Sequence, residues 1–296
     1  MTESLLPAAI RLTTTAEALA ALAAHVRVET EGLDSDPRIG SLLAAIATEL
    51  TGSMATAESV AGPQVVGMAR AFLRDSVNLV DDPGRTGGWS TVDPGSSRRR
   101  PVVDGHPPVF ALAAGALPGL AEALAAPSAR FLDVGTGTGW LAIATARTFP
   151  AAHVVGIDVF EPALALARGN VTSEGLAERV SLRQVDVTAL DDSESYDAVW
   201  LPLPFLAPSI VPAAVEAARR ALRPGGWLLP GTFAGGDDPL SRLLIELRIV
   251  RSGGHPWAVD ELVGMLTDNG LSGGHEIPRT WPAPLRLFAA QRPPAP

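Results

Sequence analysis

Cysteine is absent from this chain of 296 residues. Without a thiol, the protein has no disulfide bond, no thiolate metal site and no cysteine nucleophile. Lysine is also absent and the net charge is −9, so the clustered positive charge that a nucleic-acid surface needs is missing. Aromatic residues make up only 5% of the chain. Alanine, leucine and valine are therefore expected to fill most of the core.

Metal and membrane sites are also disfavoured. The histidines at positions 25, 106, 153, 255 and 275 lack ligand-like spacing, so we expect no metal site. The longest apolar stretch, Val109 to Ala126, is interrupted by Pro118 and Glu122 and is too weakly hydrophobic to span a membrane. The N-terminus lacks the basic segment of a signal peptide. We expect a soluble, cytoplasmic protein with neither membrane nor nucleic acid as a partner.

The composition of the chain changes after its first third. Apolar residues recur at helical spacing through 16–26, 39–50 and 65–80, which predicts three helices. Residues 81–107 are rich in glycine, proline, aspartate, serine and arginine and are predicted to form a long loop. We therefore predict a helical N-terminal region over 1–107 and a second domain over 108–296.

In the second domain, short apolar runs alternate with helical segments. The predicted strands are Arg130–Gly135, His153–Asp158, Val180–Val185, Asp197–Leu201, Trp227–Pro230, His275–Thr280 and Leu285–Gln291. The predicted helices are Pro108–Ala125, Gly139–Thr148, Pro162–Val171, Pro212–Leu222, Pro239–Val250 and Val259–Asn269. This alternation predicts an α/β fold with a largely parallel sheet. The last two strands are close enough in sequence to form a hairpin.

The stretch FLDVGTGTGW, Phe131 to Trp140, places three glycines between a predicted strand and a predicted helix. A dinucleotide loop of the form G-x-G-x-x-G would have its third glycine at Trp140, whose ring would crowd the packing of helix on strand. Asp133, at the end of the strand, would repel a pyrophosphate but suits an ammonium group. Asp158 ends the second strand, where an acid accepts hydrogen bonds from the ribose of NAD and of other adenosine cofactors.

Five segments, in order, resemble the motifs of the class I S-adenosylmethionine-dependent methyltransferases. They are FLDVGTGTGW, VVGIDVFEPALALARGN (154–170), VSLRQVDVTAL (180–190), YDAVWLPLPF (196–205) and ALRPGGWLL (221–229). The resemblance covers about Arg130 to Arg292. It implies a Rossmann-like, seven-stranded, mostly parallel sheet with a C-terminal antiparallel hairpin, and it implies S-adenosyl-L-methionine as the cofactor.

The resemblance assigns a role to each acid of the cofactor site. Asp133 would hold the ammonium, Asp158 the ribose and Asp186 the adenine amino group, while backbone amides of residues 136–139 would favour the carboxylate. Without the resemblance, Asp133 reads equally as a turn acid and Asp186 as a helix cap. The predicted cofactor-binding residues are Asp133, Gly135, Thr136, Gly137, Gly139, Asp158, Val159, Asp186, Val187 and Leu201.

The loop after the fourth predicted strand indicates the kind of substrate. Family members that methylate exocyclic base amines carry Asp or Asn, two prolines and an aromatic residue there, whereas this chain has LPLPF over 201–205. With no carboxylate or amide to accept an amine proton, we expect an apolar pocket walled by Leu203 and Phe205. The alternative is that the prolines shape a turn and Phe205 packs in the core.

The N-terminal region precedes the first strand, which places it naturally over the carboxyl end of the sheet as a lid. We therefore expect Trp89 and Phe110 near the substrate and His106 as a general base. The alternative, which the loop position favours, is that His106 is a solvated loop residue, and His255 is the second candidate for the base.

The predicted activity is methyl transfer from S-adenosylmethionine to oxygen or nitrogen of a small, rather apolar molecule, with secondary metabolism as one setting. A protein or RNA methyltransferase is a second hypothesis, although only the patch Arg98–Arg100 offers basic charge. A protein that binds S-adenosylmethionine without transferring methyl is a third. An NAD-dependent oxidoreductase is disfavoured by Trp140 and Asp133. The sequence does not indicate an oligomeric state.

Overall fold

A computed structural model of the chain describes residues 5–52, 62–84, 113–236, 238–281 and 284–294. The chain divides into two compact units, of which the first contains three helices and the second all of the strands. None of the described helices combines the length and hydropathy that crossing a bilayer requires. The predicted boundary between residues 107 and 108 falls outside the described residues and stays a prediction, as does the cytoplasmic location.

The first unit contains the three predicted helices, each longer than its apolar pattern indicated. They are α1 (Leu5–Glu31), α2 (Pro37–Thr51) and α3 (Gly62–Asp81), and α1 packs against both of the others. The carboxylate of Asp36 begins α2 by accepting the backbone N–H of Arg38 at 2.8 Å, and Pro37 occupies the first turn. Aspartate followed by proline is a favourable start for a helix because the cap satisfies an otherwise free N–H.

The second unit alternates strands and helices as predicted, but the predicted strand His275–Thr280 is wrong in its bounds, since the sixth strand lies at Ser272–Glu276. Its elements are α4 (Leu120–Ala125), β1 (Arg130–Val134), α5 (Trp140–Thr148), β2 (His153–Asp158), α6 (Glu161–Ser173), β3 (Val180–Gln184), β4 (Tyr196–Pro202), α7 (Val211–Ala221), β5 (Leu222–Phe233), α8 (Pro239–Arg251), α9 (Val259–Asp268), β6 (Ser272–Glu276) and β7 (Leu285–Gln291). Short 3₁₀ turns at Val187–Ala189 and Leu203–Phe205 follow β3 and β4.

The strands form one sheet in the order β3-β2-β1-β4-β5-β7-β6. Strands β1 to β5 pair in parallel, and β7 runs antiparallel between β5 and β6. The predicted seven-stranded, mostly parallel sheet with an antiparallel C-terminal hairpin is therefore confirmed. The chain crosses over between β1 and β4, which leaves a crevice at the carboxyl ends of these two strands. Ligands of open α/β sheets bind at such a crossover point.

The predicted continuous helix over Pro108–Ala125 is wrong in its described part. Residues 113–116 are helical, but a turn follows at Pro118 and Gly119, and α4 begins only at Leu120. Gly119 has a φ of 75°, and proline has no N–H to donate to a helix. The apolar spacing on both sides of the turn agrees with one helix, so the periodicity alone concealed the break.

Candidate cofactor and substrate site

The loop between β1 and α5 changes direction at three glycines. Gly135, Gly137 and Gly139 have φ values of 65°, 55° and 83°, in the left-handed region that other residues rarely adopt. A Cβ on Gly135 would lie 3.1 Å from Cγ of Pro202, and one on Gly139 would lie 3.1 Å from Cβ of Ala167. The loop is therefore held close to the end of β4 on one side and to α6 on the other.

Hydrogen bonds to the protein itself fix this loop. Thr136 donates its N–H to the carbonyl of Ile157 at 3.0 Å, and Gly139 donates to the carbonyl of Thr136 at 2.9 Å. The N–H of Gly137 donates to Oδ2 of Asp158 at 2.8 Å. Three of the four amides that were expected to favour a ligand carboxylate thus donate to protein acceptors in this structure, and the role of the loop in holding the carboxylate stays a prediction.

A side chain that the sequence analysis did not single out completes the loop. The Nδ2 group of Asn170, on α6, donates to the carbonyl of Thr138 at 2.9 Å. Its position at the end of the second motif was the available signal, but nothing in the sequence shows that α6 returns to the loop. Asn170 therefore belongs to the positioning of the site.

Asp133 is the most unusual acid of the site, since its side chain is 1% exposed. Its Oδ2 accepts the hydroxyl of Thr136 at 2.6 Å, whereas its Oδ1 has no hydrogen-bond partner among the described residues. Burial is the main cause that raises the pKa of Asp133, and the nearby charge of Asp158 adds to it. Hydrogen bonds from the hydroxyl of Thr136 and the backbone of Ala142 lower the pKa, and the net value is about 7. A buried, unpaired carboxylate oxygen is costly alone, and it fits a cationic group such as the ammonium of S-adenosylmethionine.

Asp158 connects the glycine loop to the start of α6. Its Oδ2 accepts from Gly137, as above, and its Oδ1 accepts the N–H of Phe160 at 2.9 Å. An ionised carboxylate has about four acceptor positions, so the side chain retains capacity for ribose hydroxyls. The structure thus brings Asp133, the glycine loop and Asp158 together at the crossover of the sheet.

Gly156, within β2, was missed by the sequence analysis. A Cβ at this position would lie 2.7 Å from Oγ1 of Thr136 and 2.8 Å from Cδ2 of Leu182. The missing side chain therefore makes room for the threonine that donates to Asp133. In sequence, a glycine inside an otherwise apolar strand indicates that another group approaches the backbone closely at that point.

The predicted adenine side lies after β2 and β3. Asp186 is exposed, and its Oδ1 accepts both the N–H and the hydroxyl of Thr188 at 2.8 Å each, so the capping role weighed for it is present. Val159 is 62% exposed and Val187 is buried. The Nε2 group of Gln184 donates to the carbonyl of Val159 at 3.1 Å. The adenine roles of Asp186, Val159 and Val187 stay predictions.

The predicted substrate wall divides into buried and accessible residues. Leu201 and Leu203 are fully buried in the core cluster, so Leu203 presents no surface to a ligand in this structure. Phe205 is half-buried and packs edge-to-face on Phe233, with ring centroids 5.7 Å apart. Three further predicted residues, Trp89, His106 and Phe110, lie outside the described residues.

The segment between α8 and α9 borders the loop that follows β4, which the sequence analysis did not foresee. A Cβ on Gly254 would lie 2.7 Å from the carbonyl oxygen and 2.8 Å from Cα of Pro204. Backbone atoms cannot turn aside as a flexible side chain can. Gly254 therefore allows residues 253–257 to lie directly against the 3₁₀ turn Leu203–Phe205.

Replacing Gly254 with Ala is expected to lower the melting temperature by several degrees, because the added methyl overlaps the backbone of Pro204 and overpacking costs ~1–3 kcal/mol. Gly264→Ala, in the middle of α9, is the matched control, since a Cβ there meets nothing within 4 Å. That control should hold or raise the melting temperature. Differential scanning calorimetry of both variants makes the comparison, and equal melting temperatures would refute the close contact.

The raised pKa of Asp133 predicts how stability varies with pH. In the unfolded chain this carboxyl has its ordinary pKa of about 3.9, and in the ligand-free folded protein its pKa is about 7. Between these values the folded state binds the proton more strongly. The free energy of unfolding therefore falls as pH rises from about 4 to 7, by roughly 1.4 kcal/mol per pH unit at most, and this contribution is lost above the folded pKa.

Asp133→Asn should remove this dependence while retaining an acceptor for Thr136. Urea unfolding at pH 5 and pH 8 measures the difference in the free energy of unfolding for each protein. Asp260→Asn, at an exposed position on α9, is the control and should behave as the wild type. An unchanged difference in Asp133→Asn would contradict the assignment of this titration to Asp133.

Comparison with known proteins identifies a methyltransferase domain in this chain. The family model described as a methyltransferase domain matches residues 131–226. Release factor glutamine methyltransferase of Rhodopirellula baltica is 34% identical over 119 residues, covering 40% of this chain and 39% of that protein. Ribosomal protein uL3 glutamine methyltransferase of Bordetella pertussis is 33% identical over 146 residues, covering 49% and 47%. The chain thus spans less than half of the length of these two relatives.

A similar solved structure covers nearly the whole chain. Human N-acetylserotonin methyltransferase, solved in complex with S-adenosylmethionine, superposes with a TM-score of 0.65 at 16% identity, over 99% of this chain and 100% of that one. At this identity the likeness concerns the fold alone. The domain match shows that residues 131–226 are a methyltransferase domain, and the order of the strands and the five motifs agree with a methyltransferase of the class I S-adenosylmethionine-dependent type.

Proposed function

We propose that the protein transfers a methyl group from S-adenosylmethionine to oxygen or nitrogen of a small, rather apolar molecule. The observation that carries the cofactor part is the buried Oδ1 of Asp133, which has no partner among the described residues. This oxygen lies at the crossover of the sheet, where the glycine loop is tied to Asp158. A cation without phosphate fits these groups, and a pyrophosphate next to a buried carboxylate does not.

The residues of the site position the reactants. When bound, S-adenosylmethionine supplies a methyl group on a positively charged sulfur, which is an activated leaving group. Asp133 would hold the ammonium end and Asp158 the ribose, which fixes the direction in which the methyl points. Such alignment is worth ~7–11 kcal/mol in favourable systems. The buried side chains at the end of β4, Leu201 to Pro204, exclude water from the adjoining space.

The character of the loop after β4 supports a small apolar acceptor. Its residues, LPLPF over 201–205, have no side chain that accepts a hydrogen bond. An amide or exocyclic amine nitrogen is a weak nucleophile, and a buried N–H needs an acceptor of its own. The two sequence relatives are named as glutamine methyltransferases of proteins, which makes a glutamine side chain the second candidate acceptor. The chain's apolar loop favours the first.

The lid role predicted from the sequence for residues 1–107 stays part of this proposal, together with the predicted substrate residues Trp89 and His106 in that region and Phe110 just after it. Limited proteolysis with and without S-adenosylhomocysteine tests it, because a lid that closes on the site becomes resistant to cleavage between residues 85 and 107. Unchanged cleavage would remove the lid from the proposal.

Isothermal titration calorimetry with S-adenosylmethionine, S-adenosylhomocysteine and NAD tests the cofactor. We expect the first two to bind and NAD to give no heat, and the reverse result would overturn the proposal. Incubation with tritiated S-adenosylmethionine then compares small phenols and amines with a release factor as acceptor. Label in the release factor would establish the glutamine alternative, and binding without formation of S-adenosylhomocysteine would indicate a protein that binds the cofactor without transfer.

A further inference from the structure

We propose that the exposed face of α8 is a docking surface for a second copy of this chain. The two helices would lie side by side in the same direction about a twofold axis, as in a short parallel coiled coil. The seam of this contact consists of Leu240, Leu243, Leu247 and Val250. The pairing goes beyond the proposed function and does not depend on it.

One face of α8 packs on its own domain. Ile249 is 3% exposed, and a Cβ built on Gly235 would lie 2.5 Å from Cγ1 of Ile245. The helix contacts β5 and the 3₁₀ turn Leu203–Phe205. Ile245 and Ile249 are four residues apart, which is the spacing of neighbours on one face of a helix. These two isoleucines therefore mark the side of α8 that attaches the helix to the second unit.

The opposite face of α8 is apolar as well, although it is exposed. Leu240, Leu243, Leu247 and Val250 are 60%, 63%, 40% and 45% exposed. Ile249 follows Leu240 by about two and a half helical turns, so the seam and the attached face lie on opposite sides of the helix. Single exposed leucines are ordinary, but a contiguous apolar stripe marks a surface that binds a partner.

The spacing of the seam is the heptad pattern of a coiled coil. Intervals of three, four and three residues separate its members, so they occupy positions a, d, a and d of two successive heptads. Leu244, which is also exposed, widens the stripe at position e. An apolar residue at each a and d position is what a partner helix needs for knobs-into-holes packing.

The charges beside the seam favour a copy of the same helix as the partner. Glu246 occupies position g and Arg251 occupies position e, five residues later. In a parallel pair these positions face each other across the seam, so Glu246 of each copy would lie beside Arg251 of the partner subunit. Glu246 is exposed and has no ion-pair partner among the described residues. An antiparallel pair would place g beside g and e beside e, which joins no opposite charges.

Both ends of α8 are fixed before any partner binds. Oδ1 of Asp238 accepts the N–H of Ser241 at 3.0 Å and caps the first turn. At the other end Gly253 has a φ of 94°, and the N–H of Gly254 donates to the carbonyl of Ile249 at 3.1 Å. A preformed helix loses little further conformational freedom on association. Because α8 is only about 20 Å long, the contact is at the small end of specific interfaces, and we expect a dissociation constant in the micromolar range.

Other occupants fit this surface less well. An anionic membrane is disfavoured by the net charge of −9 and by the acidic Glu246 beside the seam. Helix α2 has exposed apolar residues at Ile39, Leu42 and Ile46, but no glutamate and arginine stand five residues apart in it. A second α8 supplies both the apolar stripe and the complementary charges.

Sedimentation velocity of the full chain over a micromolar concentration range tests the pairing. We expect the wild type to dimerise and Leu243→Glu, which puts a charge into the seam of both copies, to raise the dissociation constant by roughly 10²-fold. Leu42→Glu, at a leucine on α2 that is 64% exposed, is the matched control and should dimerise as the wild type does. Circular dichroism of both variants checks that they remain folded.

Charge reversal tests the ion pair across the seam. Glu246→Arg alone should weaken the dimer by about fivefold, because two arginines would then face each other on each side of the twofold axis. Adding Arg251→Glu to Glu246→Arg restores opposite charges and should recover the wild-type dissociation constant. A double variant that associates no more tightly than Glu246→Arg would overturn the parallel arrangement.

The absence of cysteine from the chain permits a direct test of the direction of the helices. Leu240→Cys and Leu247→Cys, made separately, should each form a disulfide-linked dimer under mild oxidation, because in a parallel pair each position faces its own counterpart within the reach of a disulfide. An antiparallel pair brings at most one of the two positions next to its counterpart. Leu42→Cys is the control and should stay uncrosslinked.

Three other results would overturn the docking of a second copy on α8. The first is a wild type that stays monomeric throughout the concentration range. The second is a dimer that Leu42→Glu abolishes and Leu243→Glu does not, which would move the interface to α2. The third is a monomeric wild type that binds vesicles of phosphatidylcholine and phosphatidylglycerol and loses this binding in Leu243→Glu, which would assign the surface to a lipid.

Discussion

Asp158→Ala is expected to weaken the binding of S-adenosylmethionine by at least tenfold, which is about 1.4 kcal/mol. Two losses combine in this variant. The carboxylate no longer accepts the ribose hydroxyls, and the N–H groups of Gly137 and Phe160 lose their acceptor. Hydrogen bonds to a charged acceptor are worth ~1.5–3 kcal/mol each, so the melting temperature of the ligand-free protein should fall as well. Calorimetric titration and a thermal scan measure the two effects.

A conservative variant separates positioning of the loop from contact with the ligand. Asp158→Asn retains one carbonyl oxygen for a backbone N–H but replaces the second acceptor with a donor, so its affinity should lie between those of the wild type and Asp158→Ala. Asp260→Ala, exposed on α9, serves as the control and should bind normally. Unchanged affinity in Asp158→Ala would show that the cofactor assignment is wrong.

Gly156→Ala is expected to disrupt the site by displacing Thr136. The new methyl would lie 2.7 Å from the hydroxyl oxygen of Thr136 and 2.8 Å from Cδ2 of Leu182, so both side chains would have to shift. Overpacking of this kind costs ~1–3 kcal/mol. Displacing Thr136 also removes the donor to Asp133. We expect a melting temperature lower by several degrees and an affinity for S-adenosylmethionine reduced more than tenfold.

Gly169→Ala provides the matched comparison for Gly156→Ala. Gly169 lies in α6, and a Cβ there meets nothing within 4 Å. The change should stabilise the helix by ~0.4–1 kcal/mol without altering the affinity. Normal stability and binding in Gly156→Ala would mean that Thr136 has another position available, and the account of this strand would then fail.

The course of the main chain could be predicted closely because local patterns determine it. Strand β2 begins and ends at the predicted residues, β1 and β3 each end one residue earlier than predicted, and β4 is one residue longer at each end. Turn chemistry was harder, since Pro118 and Gly119 interrupt an apolar pattern that continues on both sides. The length of β5 was also underestimated, because its first residues include Pro224, Gly225 and Gly226, which are typical of a turn.

The positions of Asp133 and Asp158 at the ends of β1 and β2 could be predicted from sequence, but the hydrogen bonds around them could not. Asp133 and Asp158 were chosen because each lies at the end of a predicted strand. The commitment of three loop amides to protein acceptors depends on where β2 and Asp158 lie in space. Leu203 illustrates the same limit, since an apolar residue in a loop is equally compatible with a pocket wall and with a core. The contact of Gly254 with Pro204 joins segments 50 residues apart (254 − 204), and no local pattern reports it.

The buried acid at the end of β1 makes the protonation of the site depend on pH. Near neutral pH the ligand-free protein divides between molecules that carry a proton on Asp133 and molecules that do not. A cation beside Oδ1 favours the ionised form. Under the proposal that Asp133 holds the ammonium, each arrival of the methyl donor would therefore release a fraction of a proton and each departure would take it back. The affinity for the methyl donor is therefore expected to depend on pH and to rise as the solution becomes more alkaline.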